Sequence, residues 1–280
     1  MIHKSPAKIN LALEILNRRD DGYHNIISLF STVNLFDELK IENLSTGLIR
    51  CIVNGNDKLS TEIDNLCISA AKLLRETANN NLLGAEILLK KNIPIGAGLG
   101  GGSSDAATTL IILNEIWKLN LSISDLKELA FKLGSDVPYF IEKGLVEVSS
   151  RGEVIKKIHI KLPYTVLLVN PGIHIPTVWA YNSLIINLKK ENLNLENLLF
   201  EAVNDVSLFK KYFVNDFENV VFKEYPGIKK IKDQMYDNGS FFSLMSGSGS
   251  TVFGLFEDFE KANLAKQNFD NCFTYVCNFI

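Results

Sequence analysis

The chain has 280 residues, of which 46% are hydrophobic and 22% charged, enough apolar material for a proper core in one large domain or two small ones. A formal net charge of -3 provides no global attraction to a phosphate backbone, which argues against nucleic-acid binding and leaves any nucleotide to be gripped by local geometry. The hydrophobic runs are short, no signal-peptide core precedes the polar residues of the N-terminus, and Cys51, Cys67, Cys272 and Cys277 lack zinc or redox spacing, so a soluble cytoplasmic protein without membrane association and with buried free thiols is expected.

Residues 8–15 alternate strictly, with Ile9, Leu11, Leu13 and Ile15 on one face and Lys8, Asn10, Ala12 and Glu14 on the other, the pattern of a half-buried strand. A polar cluster at 17–22 predicts a turn, residues 26–33 a second strand, and residues 38–42 and 48–53 two more. Ile63, Leu66, Cys67, Ala70, Ala71 and Leu74 fall at helical spacing and predict an amphipathic helix over 61–78, followed by a short strand at 85–90. A helix over 104–119 carries Ala106, Ala107, Leu110, Ile111 and Trp117, another over 124–133 stops at Gly134, and strand resumes at 144–149.

Beyond the polar stretch 151–157, residues 164–170 form a compact apolar strand, and a domain boundary near 155 is expected, giving domains 1–155 and 156–280. Helices follow around 178–188, 195–203 and 228–236, with 189–194 as a polar connection. The chain then reads as strand, the turn Ser246-Gly-Ser-Gly-Ser250, strand, helix and a last strand at 274–279. There is no internal repeat, and strands and helices mixed without regular alternation predict an α+β fold.

The run Pro94-Ile-Gly-Ala-Gly-Leu-Gly-Gly-Gly-Ser-Ser104 is the strongest local signal. Backbone without Cβ atoms folds tightly and can aim successive N–H groups at an anion, and a helix opening at Ser103 and Ser104 adds unpaired donors and a partial positive charge. Three known loop types compete. The Walker loop fails because Gly102 is followed by Ser103 and no lysine lies within the run. Gly96, Gly98 and Gly101 meet the dinucleotide spacing, but Lys90 to Pro94 separate them from the preceding strand. The protein-kinase loop sits in a strand pair, whereas a helix follows here. A flexible linker would not lead into a well-patterned helix.

This run resembles the middle motif of the GHMP kinases, and the family's other two motifs appear in the expected order, as Ser5-Pro-Ala-Lys-Ile-Asn10 and Met245-Ser-Gly-Ser-Gly-Ser-Thr251. The resemblance spans nearly the whole chain. It implies a two-domain α+β fold, with a ribosomal-protein-S5-domain-2-like N-terminal domain, a ferredoxin-like C-terminal domain and the active site in the cleft between them. ATP is the implied co-substrate, held by Pro94, Ile95, Gly96, Ala97, Gly98, Leu99, Gly100, Gly101, Gly102, Ser103 and Ser104. Magnesium is implied with the triphosphate, although no carboxylate cluster identifies its ligands.

Lys8 alone reads as a solvated lysine and Asp136 as a cap for a short helix. Their contexts, Pro-Ala-Lys-Ile-Asn and Leu-Gly-Ser-Asp-Val-Pro, are similar to those of the catalytic pair in the family branch whose acceptor is a cytidine diphosphate-linked methylerythritol, in the non-mevalonate route to isoprenoid precursors. The resemblance thus implies direct in-line phosphoryl transfer, with Asp136 as base and Lys8 as its electrostatic partner. Asn10, two residues from Lys8, can address the same ligand. Asp21-Gly-Tyr-His24 could be ordinary packing after a turn. The same branch implies instead that His24 meets the cytosine edge and Tyr23 the cytidine region, while Thr177 touches substrate and Tyr181 stacks on it. His3, His159 and His174 carry no motif, and the 246–250 turn alone reads equally as an ordinary hairpin turn. Other GHMP kinases, for homoserine, mevalonate or a sugar, and a non-catalytic nucleotide-binding protein on the same fold are the alternatives.

Overall fold

A computed structural model describes residues 1–54, 65–184 and 194–280. In chain order the first elements are β1 (His3–Arg18), β2 (His24–Leu44), β3 (Ile49–Asn54), α1 (Leu66–Thr77), β4 (Gly84–Lys90), α2 (Gly101–Ile116), α3 (Ile123–Leu133) and α4 (Val137–Glu142). They are followed by β5 (Val146–Ser150), β6 (Val154–Lys157), β7 (Thr165–Asn170), α5 (Thr177–Asn182), α6 (Leu195–Asn204), α7 (Ser207–Tyr212) and α8 (Glu218–Glu224). The last elements are α9 (Pro226–Asp237), β8 (Phe242–Met245), β9 (Val252–Phe256), α10 (Phe259–Lys266) and β10 (Phe273–Asn278).

The chain packs as two units that interleave along the sequence. The first comprises Met1–Ala7, Leu35–Ile95 and Gly100–Lys143, and the second Lys8–Asn34, Gly96–Leu99 and Gly144–Ile280. In the first unit β3 runs parallel to β4, and β4 pairs antiparallel with the second half of β2, from Glu38↔Lys90 to Leu44↔Gly84. Helix α1 packs on α2, and α4 packs on α2 and α3. Helix α3 starts at a capping box, with Ser122 Oγ accepting the Asp125 N–H and the Asp125 carboxylate accepting the Ser122 N–H.

In the second unit the first half of β2 pairs with β5, and β5 with β6. A separate antiparallel sheet has the order β10-β7-β9-β8. Helix α9 packs on β8 and β9, and α10 on β7, β9 and β10. Leu167, Val169, Ile228, Ile231, Met235, Val252 and Ala262 belong to the core between them.

Several expectations need correction. Strand β1 is not half-buried: Lys8, Asn10 and Ala12 are as enclosed as Ile9 and Leu11, so the alternation marks two covered faces, one of them polar. The two strands expected at 26–33 and 38–42 are one 21-residue strand. Asn34 and Asp37 look like breaks between them, yet no glycine or proline interrupts the run and both side chains serve as acceptors from other backbone segments. Helix α2 opens at Gly101, three residues earlier than its apolar pattern begins. The polar stretch at 151–157 contains β6, and the short helices α4, α7 and α8 carry too few turns for periodicity to reveal them. Of the helix expected over 61–78, residues 61–64 lie outside the described residues, as do 185–188 of the helix expected over 178–188 and 189–193 of the polar connection. Among the cysteines, Cys51, Cys67 and Cys277 are buried free thiols, whereas Cys272 is only partly covered.

Candidate active site

The glycine run is shaped by what holds its carbonyls. The Ala97 oxygen accepts the Thr251 N–H at 3.2 Å, the Gly98 oxygen accepts the Ser246 hydroxyl at 2.9 Å, and the Leu99 oxygen accepts the Lys8 N–H at 2.9 Å. In a trans peptide the carbonyl of one residue and the N–H of the next point to opposite sides. Anchoring three consecutive carbonyls therefore turns the amides of Gly98, Leu99 and Gly100 the other way, as an anion-binding concavity requires. Gly98, at φ 77°, has the Ser246 carbonyl where a Cβ would be, and Gly100, at φ 68°, is the left-handed N-cap of α2. No side chain caps α2, which leaves the amides of its first turn without intrahelical acceptors.

The other residues expected around the phosphates divide between exposed and enclosed. Ile95 and Gly102 are exposed, Pro94 and Ser103 partly so. Ser104 is buried, its N–H bonded to the Gly100 oxygen at 2.9 Å and its hydroxyl accepting from Ser5 at 2.9 Å. His174, which no motif singled out, is exposed and packs on the loop: a Cβ at Gly96 would fall on its Nδ1.

Lys8 and Asn10 form a buried pair in the second unit. Lys8 Nζ donates to Asn10 Oδ1 at 2.7 Å and lies 4.3 Å from the Phe30 ring centroid. Asn10 donates its N–H to Ser246 Oγ at 3.2 Å and its side-chain amide to Ser28 Oγ at 3.1 Å, and Ser28 in turn donates to the Ala12 carbonyl. The first and last motifs of the sequence therefore meet at the Ser246 hydroxyl. The 246–250 turn is thus more than a hairpin connection.

Asp136 stands in the first unit as the N-cap of α4, partly buried, and its side chain makes no capping hydrogen bond. The same unit holds an ion cluster that sequence reasoning missed. Lys91 Nζ bridges Asp37 and Asp105, at 2.8 Å from the latter, while Asp37 Oδ1 accepts the N–H groups of Asn92 at 2.6 Å and Ile93 at 2.8 Å. Both flanks of the glycine run are so tied to one largely enclosed cation. Burial pushes the Asp105 carboxyl up to about 7, against the pull of Lys91, and the Asp37 charge adds to the rise.

The residues expected at the acceptor gather in the second unit. His24 and Tyr181 stack with ring centroids 4.9 Å apart and planes at 19°, and Phe217 fixes Tyr181 edge-on at 4.9 Å. Burial, aided by Arg18, lowers the His24 pKa and keeps the imidazole neutral around pH 7. Tyr23 is 52% exposed, with the Arg151 guanidinium 3.6 Å from its ring centroid. The Thr177 hydroxyl lies 3.2 Å from that of Ser248, on the 246–250 turn. Among the described residues, no group of three or more His, Cys, Asp or Glu side chains could hold a metal ion. A magnesium ion that travels with a triphosphate keeps mostly water and phosphate oxygens as ligands and does not need one.

An α+β chain in two units, with a glycine loop opening a helix and a second glycine turn anchored to it, matches the family models for the GHMP kinases N terminal domain over residues 65–144 and the GHMP kinases C terminal domain over residues 195–274. The chain belongs to the GHMP kinases. It is 43% identical over 267 residues to the 4-diphosphocytidyl-2-C-methyl-D-erythritol kinase of Prosthecochloris aestuarii, covering 94% of this chain and 92% of that one. It is also 42% identical over 284 residues to the enzyme of the same name from Thermodesulfovibrio yellowstonii, covering 99% and 96%. A crystal structure of a 4-(cytidine 5'-diphospho)-2C-methyl-D-erythritol kinase superposes with a TM-score of 0.82 at 33% identity, covering 99% of each chain. A homoserine kinase from Cytophaga hutchinsonii, at 20% identity and a TM-score of 0.75, shares the fold.

Proposed function

We propose that this chain is an ATP-dependent kinase that phosphorylates the 2-hydroxyl of 4-diphosphocytidyl-2-C-methyl-D-erythritol, with residues 1–155 supplying the phosphate loop and 156–280 the second domain. The observation that carries the phosphoryl-transfer half is the loop at 97–99, whose carbonyls are all bonded away so that its amides serve an anion. The acceptor half is supported by the similarity to kinases of that name and by the stacked His24–Tyr181 pair.

In this reading the transferred group passes directly and in line from ATP to the acceptor. Asp136 takes the hydroxyl proton. Lys8, oriented by Asn10, is its electrostatic partner and steadies the charge developing on the phosphoryl oxygens. The magnesium accompanying ATP supplies neutralisation of the phosphate charge. A neutral His24 offers one donor and one acceptor, which suits the edge of a cytosine, while Tyr23 and Tyr181 offer aromatic faces to the nucleoside and Thr177 a hydroxyl to the substrate.

The test is a coupled ADP-release assay with the cytidyl acceptor, homoserine and mevalonate offered separately. Turnover is expected with the first, and preferential turnover of either of the others removes the acceptor assignment. Asp136→Asn and Lys8→Ala are expected to retain ATP binding while turnover drops about 10²–10⁴-fold, and near-normal rates in both variants reject the proposed pair. His24→Ala is expected to raise the KM for the cytidyl acceptor about tenfold, the equivalent of one good hydrogen bond, with the KM for ATP unmoved.

A further inference from the structure

Residues 214–218, just before and at the start of α8, carry none of the family motifs noted in the sequence, yet they are bonded to the last of them and to the strand that carries the first. On one side they strap onto β1: Leu13 donates its N–H to the Val214 carbonyl at 2.8 Å, Asp216 donates its own to the Leu13 carbonyl at 3.0 Å, and Ile15 donates to Asp216 Oδ2 at 2.7 Å. Leu13 and Asn215 form a parallel bridge there. On the other side they hold the second glycine turn. Asn215 Nδ2 donates to the Met245 carbonyl at 2.6 Å and to the Gly247 carbonyl at 2.8 Å, one on each side of Ser246. Glu218 Oε1 accepts the Met245 N–H at 2.9 Å while its other oxygen is paired with Lys232 at 2.6 Å.

Ser246 is fully buried, and its hydroxyl joins the Asn10 N–H to the Gly98 carbonyl. Two segments therefore meet at one hydroxyl, β1 with Lys8 and Asn10, and the glycine loop at Gly98. What holds that hydroxyl in place is the backbone of the residues on either side of it, Met245 and Gly247, whose carbonyls both end on the same side-chain amide. Asn215 is 3% exposed and has both N–H donors engaged, while its Oδ1 accepts the Phe217 N–H at 3.0 Å. An amide with both donors aimed at carbonyls flanking a loop residue sets position more sharply than packing does, because displacement leaves two buried acceptors unpaired.

We infer that Asn215 is a positioning residue for phosphoryl transfer, holding Ser246 so that the phosphate loop and the Lys8–Asn10 strand keep their register. The inference rests on the kinase reading above. It acts through Ser246 and not through contact with either substrate.

The test is Asn215→Asp, which keeps the size and the acceptor for Phe217 but turns an oxygen toward two carbonyl oxygens. In the ADP-release assay kcat/KM for ATP is expected to fall about 10–100-fold, as a displacement near 1 Å does, while the KM for the acceptor stays within about twofold. Ser246→Ala is expected to fall in the same direction, and the double variant to be no worse than the poorer single one, because both remove one link. Wild-type ATP kinetics in folded Asn215→Asp, a loss that only follows a smaller folded fraction, or additive losses in the double variant would each overturn the proposal. If Asn215→Asp does not fold, Ser246→Ala decides, and unchanged ATP kinetics there overturns it. Should wild-type protein turn over none of the offered acceptors, the kinase reading fails instead. Calorimetric titration with ATP then still tests the link, with at least tenfold weaker binding by Asn215→Asp expected and equal binding overturning it.

Discussion

Asp37, Lys91 and Asp105 place two carboxylates and one ammonium in an enclosed space, and they cannot all hold their ordinary charges. Asp37 accepts two backbone N–H groups as well as the lysine, and Asp105 is the one pushed up to about 7 by burial. The folded protein therefore binds a proton on Asp105 in a range where the unfolded chain, near 3.8, has lost it. By linkage this site lowers stability progressively as pH rises from about 4 to about 7 and adds no further slope above that. Urea titrations of the wild type and Asp105→Asn between pH 5 and 8 should differ by that slope, the variant being flatter, and parallel curves would show that Asp105 is ionised throughout. Nothing in the sequence marked this aspartate, since a polar residue in the second turn of a helix usually faces water. Lys8 and Asn10 were legible as a pair from their spacing, yet the same spacing wrongly suggested that they leave toward solvent.

Single elements show where backbone chemistry outweighs side-chain pattern. The glycine run was legible as a tightly folded loop because five glycines lie between 96 and 102, but which of them the geometry needs was not. Gly98 is a left-handed residue pressed on the Ser246 carbonyl, so Gly98→Ala should cost about 1–3 kcal/mol in stability and weaken ATP binding by more than tenfold. At Gly102 a Cβ would meet only Leu66 Cδ1 at 3.7 Å, an ordinary contact inside a helix, so Gly102→Ala should leave thermal stability equal or raise it by up to about 1 kcal/mol. The opposite order of the two variants in a melting experiment would contradict this assignment. The continuous strand β2 went unseen for a related reason: Asn34 and Asp37 resemble turn residues, and their partners at Asn278, Asn92 and Ile93 come from elsewhere in the chain.

At the scale of the whole molecule, two packing units interleave because β1 and β2 each contribute residues to both, which no segmentation by composition can represent. The second unit has an aromatic cluster, with Phe209 fully buried among Tyr164, Phe213, Phe241 and Phe242 at centroid distances of 4.8–6.4 Å within the group. Phe209→Ala should destabilise the protein by about 3–5 kcal/mol in urea unfolding, while KM for ATP per folded molecule stays at the wild-type value. A changed KM with intact stability would place this cluster in the functional machinery.

The α+β class, the glycine loop and the three motifs with their order were already set by the sequence, because these depend on local backbone freedom and short-range spacing. Only the tertiary structure decided that β1 is covered on both faces, that Lys91 joins the two flanks of the loop, and that Asn215 holds the turn at Ser246. Those outcomes are contacts between residues far apart in the chain. Periodicity records which side chains share a face, but not what arrives to cover it.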